Sequence, residues 1–144
     1  MLGDIIYEQK GKISGYRVLD IEGPTIETTI TGTGIINGIE VTDIVTYWSK
    51  PSESDLKTFH AEGQGIISTK DGEIATWKGY GIGRYNGHNR TDKGSVFFKT
   101  CTNGKLAFLN NKMEFLNMKQ TKMVIPTKKF GNENNKIIII ANNL

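Results

Sequence analysis

The chain has 144 residues, 37% hydrophobic and 23% charged, with 18 basic against 15 acidic side chains, two histidines and one cysteine. That is the size of one domain with a hydrophobic core of its own, and no stretch approaches the eighteen or more apolar residues of a membrane-spanning helix. A lone Cys101 excludes an internal disulfide, one Cys with two His makes no zinc site, and Met1–Asp4 has no secretory pattern, so a cytoplasmic chain without metal or cofactor is expected.

Period two dominates the body. Ile26–Thr31 is rich in β-branched residues and poor in helix formers, as a strand requires. Ile39–Trp48, Ala61–Thr69, Glu73–Tyr85 and Ser95–Thr102 continue the series, and Lys105–Leu109 begins one more. Asn37-Gly38, Asp71-Gly72 and Asn103-Gly104 each lie between two such runs and supply the positive φ of tight hairpins. Neighbouring strands therefore pair antiparallel. Pro51–Thr58 and Tyr85–Lys93 read as the long polar loops.

Glycines recur two apart, at Gly32 and Gly34, Gly63 and Gly65, and Gly79, Gly81 and Gly83. Residues two apart share a strand face, so three strands each carry a patch without side chains. Strong strand coiling in a small barrel, or close approach of a bulky group such as Trp77 or Tyr85, explains that. The predicted fold is all-β, a single glycine-rich antiparallel β-barrel with hairpin connections, with a sandwich as runner-up.

Candidate chemistry sits on two strands. His60, Glu62 and Gln64 fall at i, i+2 and i+4, so all three share a face. If that face lines the interior, His60 and Glu62 form a general acid/base pair and Gln64 holds a carbonyl. If not, it is the solvated face, because Ala61, Gly63, Gly65 and Ile67 occupy the other. Lys78, Tyr80, Ile82 and Arg84 share a face of the next strand. Arg84 is the candidate for a carboxylate and Tyr80 for a ligand contact, against a surface ion pair or solvent. Trp48 and Trp77 are candidates for stacking on a ligand, against simple core packing.

Met1-Leu2-Gly3-Asp4-Ile5-Ile6-Tyr7-Glu8, Gly63-Gln64-Gly65-Ile66-Ile67, Lys70-Asp71-Gly72-Glu73, Ala75-Thr76-Trp77 and Gly104–Asn111 resemble short uncharacterised proteins of ammonia-oxidising archaea. Strand rhythm and glycine-rich strands also make the architecture similar to allene-oxide-cyclase-like, calycin-type barrels. Neither resemblance implies an activity or a set of catalytic residues.

Residues 112–144 break the pattern. Asn, Lys and Ile number 6, 6 and 5 there, and Gly131 is the only glycine. Back-translating from Met113 with permitted codons and reading from the last base of its codon gives Gly-Val-Phe-Glu-Tyr-Glu-Thr-Asp-Glu-Asn-Gly-Asn-Thr-Asn-Glu-Lys-Ile-Trp-Glu. That is strand, Asn-Gly turn, strand, the hairpin a barrel lacks. A barrel domain at 1–111 and a frameshifted tail at 112–144 are expected, with the last strands missing or replaced and two edges left open. The tail carries 6 basic and 2 acidic residues, the body 12 and 13. The chain's net charge of +3 therefore comes from the tail, and no nucleic-acid or membrane partner is expected.

The leading functional expectation is binding of a small, partly apolar molecule inside the barrel. An isomerase or cyclase using His60 and Glu62 is the first alternative. A filled barrel serving as a homo-oligomer subunit is the second.

Overall fold

The computed structural model describes residues 4–87, 89–120 and 136–143. The strands are β1 (Ile5–Asp20), β2 (Thr25–Ile36), β3 (Ile39–Pro51), β4 (Thr58–Thr69), β5 (Ile74–Asn86), β6 (Asn89–Lys99), β7 (Met113–Gln120) and β8 (Lys136–Asn143). Each pairs antiparallel with its neighbour in the chain, and β8 returns to β1, closing an eight-stranded barrel. Among the described residues no helix is long and apolar enough to cross a membrane.

Alternation decides what faces in. On β3, Val41, Asp43, Val45, Tyr47 and Ser49 are buried, whereas Glu40, Thr42 and Ile44 are exposed. Ile30, Ile36, Ile67, Val96 and Phe98 complete the same interior from other strands. Asn37 and Gly38, at φ 47° and 80°, turn β2 into β3 as the dipeptide requires. Gly65 answers the question raised by the repeated glycines. A Cβ there would collide with Trp77 Nε1, so the indole occupies the space that a side chain would take.

Several expectations are corrected. The sixteen-residue β1 lacks a clean sequence signal because Gly11, Ser14 and Gly15 interrupt it, and register shifts follow Ile13 and Val18. The polar stretch Tyr85–Lys93 is a tight hairpin around Gly87, not a long loop. Asn103-Gly104 turns no hairpin, and Lys105–Leu109 begins no strand. Residues 107–109 form a 3-10 helix. Leu106 and Leu109 are fully buried, so the segment plugs one end of the barrel. Glu73 holds it there, accepting the Lys105 and Leu106 backbone N–H groups at 3.1 and 3.3 Å and the Thr102 hydroxyl.

The tail does not leave the barrel open. Glu114, Met118 and Gln120 of β7 point inward and are buried. β8 pairs on both sides, Ile139 lying opposite Met118 and Gln9. Short β-prone runs suffice to close the sheet over Ile5–Lys12, where β8 bridges β1 and β7; among the described residues, Ile13–Asp20 pair with β2 alone.

Candidate functional site

Two polar networks cross the interior. Near the plugged end, the Tyr7 hydroxyl and Gln9 Nε2 donate to the two Asp43 carboxylate oxygens, the latter bond at 2.7 Å. Burial pushes the Asp43 carboxyl above its ordinary range, although both bonds pull it back. Burial also pushes the Tyr7 hydroxyl well up, with Asp43 adding to the shift.

Toward the opposite end, Arg90 grips Asp92 through Nε and Nη2 at 2.8 and 2.7 Å and donates Nη1 to Ser49 at 3.0 Å. The Tyr47, Phe59 and Tyr85 rings stand 5.2–5.6 Å from the guanidinium carbon. Burial alone would lower the Arg90 pKa, but the Asp92 bonds and charge raise it overall. Gly83 leaves the room this pair needs, since a Cβ there would meet Asp92 and Arg90. Tyr47 donates to Gln120 at 2.9 Å, tying the network to β7. Nε, Nη1 and Nη2 of Arg90 each donate within the protein, so the pair acts as an internal strut.

These side chains fill the barrel. Among the described residues, a void bordered by Val45, Trp77, Met118 and Ile139 measures about 30 Å³, against the roughly 300–1,000 Å³ of ligand pockets. An eight-stranded barrel is just wide enough for side chains to fill it, and this one is filled.

The sequence-predicted residues fall mostly outside that interior. His60 and Gln64 are exposed on the outer face of β4, and Glu62 is half-buried beside Lys78 at 3.3 Å. The three share a face, as the spacing requires, and it is the outer one. Arg84 and Tyr80 are exposed on the outer face of β5. Trp48 is half-buried on the outside of β3, and Trp77 is core. Among the described residues, no three His, Cys, Asp or Glu side chains are grouped to hold a metal.

Gln64, Tyr80 and Trp77 nevertheless meet at one place. They border an outer-face groove of about 740 Å³ across β3–β6, together with Ile44, Ile66 and Phe97. Ile44 lies opposite Ile66, and Lys78 opposite Phe97. Thr46, Thr76, Lys78 and Lys99 supply its polar border. A second outer groove, about 670 Å³, runs between Lys10 and Lys70 across β1–β4. Sequence reasoning missed Asp43, Arg90 and Asp92. Period two placed Asp43 opposite Glu40, Thr42 and Ile44, but no pattern announces that a charged residue belongs inside.

No protein-family model matches the sequence, and no curated protein matches it. Among solved structures, the chain is similar to a conserved protein of unknown function, RPA1785 from Rhodopseudomonas palustris, with a TM-score of 0.68 and 11% identity. The match covers 99% of this chain and 97% of that one. At that identity the likeness is one of fold: this chain is an eight-stranded antiparallel β-barrel built on the same plan.

Proposed function

We propose that this barrel is a cytoplasmic, non-catalytic binding protein that takes a small, partly apolar molecule on its outer face. The supporting observation is the contrast in volume: about 740 Å³ in the β3–β6 groove against about 30 Å³ inside. Ile44, Ile66, Tyr80 and Phe97 offer apolar contact, and Gln64, Thr46 and Thr76 offer hydrogen bonds at the border. The acid/base pair His60 and Glu62 has no enclosed space to work in, which disfavours the isomerase or cyclase alternative. The test is titration with the fluorescent amphiphile 8-anilinonaphthalene-1-sulfonate. Saturable one-to-one binding that Ile66→Glu abolishes is expected. Binding unchanged by Ile66→Glu refutes the groove as the site.

A second reading rests on the same exposed groups. Ile44, Ile66, Tyr80, Ile82, Phe97 and Met113 are each 46–56% exposed. At roughly 200 Å² per side chain, they offer about 600 Å², approaching the ~800 Å² per partner of a standard interface. Native mass spectrometry separates the two. A monomer carrying extra mass supports ligand binding, and a dimer lost in Ile66→Glu supports self-assembly.

A further inference from the structure

The cations of the barrel body are not spread evenly. On β4–β6 the outward side chains include Lys78, Arg84, Lys93 and Lys99, all exposed, and one carboxylate, Glu62. The acidic Asp92 of β6 points inward and is held by Arg90. Lys119, exposed on β7 opposite Thr91, extends the cationic face.

Two aromatic rings stand among these charges. Tyr80 is 56% exposed and Phe97 50%. Tyr80 lies opposite Ser95, and Lys78 opposite Phe97. The two residues are therefore diagonal neighbours on adjacent strands, their backbones roughly 7–8 Å apart by sheet geometry. Lys78 and Lys93 flank Tyr80, and Lys99 follows Phe97 two residues along β6. Ile82 lies opposite Lys93 and Thr76 opposite Lys99.

We infer that this outer face binds a single-stranded polynucleotide, with Tyr80 and Phe97 stacking on bases and Lys78, Lys93, Lys99 and Arg84 meeting phosphates. The inference goes beyond the small-molecule reading, since Lys93 and Arg84 lie outside the groove's lining. Charge complementarity selects the occupant. A second copy seated by two-fold symmetry would oppose this face to itself, cation against cation. A polyanion neutralises it. Exposed rings between cations require unpaired bases, because a duplex hides its base faces, and stacking on any base tolerates any sequence. A chain-wide charge sum conceals the feature; the carboxylates at this face are Glu62, 3.3 Å from Lys78, and Asp55, close enough to Arg84 to feel its charge.

The test is fluorescence anisotropy of the full chain with labelled dT12 and rU12 at 50 mM salt. Binding is expected for at least one of them, with log K falling against log salt at a slope of about −3 for four phosphate contacts. Tyr80→Ala and Phe97→Ala should each weaken binding about tenfold. Lys93→Gln and Arg84→Gln should each flatten the slope by about 0.7 while leaving the anilinonaphthalene titration unchanged. All four positions are exposed, and unchanged thermal unfolding confirms intact variants. Absence of binding to both oligonucleotides overturns the inference. So does affinity indifferent to Tyr80→Ala and Phe97→Ala, or equal affinity for a 12-base-pair duplex. Displacement of the oligonucleotide by phosphatidylserine vesicles, with co-sedimentation of the protein, assigns the face to a membrane surface instead. Loss of only the dye titration refutes the small-molecule reading and leaves this one standing.

Discussion

Replacing Arg90 by Met tests whether the interior strut carries the weight its geometry implies. Met keeps most of the volume and removes the charge, so packing is disturbed little. Three hydrogen bonds disappear, two to Asp92 and one to Ser49. Asp92, only 3% exposed, is left as an unpaired buried carboxylate. Removing one partner of a buried pair costs about 3–5 kcal/mol. Losing the desolvated contact with three rings adds about 1–2 kcal/mol. Arg90→Met should therefore lower stability by about 5 kcal/mol at pH 7, or ~10–20 °C in melting temperature. Urea unfolding followed by circular dichroism measures it. Arg90→Met with Asp92→Leu removes the stranded charge as well and should recover most of the loss. A cost below ~1 kcal/mol, or a double variant as damaged as the sum of its parts, would refute the reasoning.

Gly65→Ala should cost about 2 kcal/mol, because the new methyl must displace a buried indole; a melting temperature and Trp77 emission identical to the parent would contradict that. Asp43 has a raised native pKa, so the folded chain holds more protons than the unfolded one from about pH 4 upward. Its contribution is present below pH 4 and is lost as pH rises through the native value. Asp43→Asn should remove that decline from the urea midpoints between pH 4 and 8, and an unchanged profile would argue against it. A chain carrying the alternative reading frame from residue 113 should be more soluble and melt higher than this one, since that frame reads as strand, Asn-Gly turn and strand. Equal yield and melting temperature, or a confirmed unbroken frame through residue 112, would reject a frameshift.

How legible the fold was depends on which force set each element. Strands β2 to β5 were readable because one face is solvated and the other buried, so alternation survives in the residues themselves. Ile39–Trp48 became β3, and Asn37-Gly38 turned into it with the φ angles expected. Lys105–Leu109 carries the same local signal as a strand. It became a plug because Glu73, far away in sequence, binds its backbone N–H groups, and Leu106 and Leu109 fill the barrel's end. No local pattern encodes that. β7 was obscured differently. Its inward set of Glu114, Leu116, Met118 and Gln120 alternates correctly, but two members are polar. Their burial depends on partners elsewhere, such as Tyr47 for Gln120.

The site followed the same logic. His60, Glu62 and Gln64 were placed on one face by spacing alone, but spacing does not say which face lines the barrel. Trp77 decides it. The indole fills the room left by Gly65, so the glycine face of β4 must look inward and His60 outward. Among the described residues, Trp77, Tyr47, Phe98 and the Arg90 strut take up the interior of this eight-stranded barrel. The close approach of Trp77 that the repeated glycines suggested is thus one reason the interior is full. What remains for recognition is the outer surface, and there the useful quantity is local. The body's charges nearly cancel, yet Lys78, Arg84, Lys93 and Lys99 share the outer face of β5 and β6 with the exposed Tyr80 and Phe97. That segregation, invisible to the sum, is the feature on which the proposed polynucleotide contact rests.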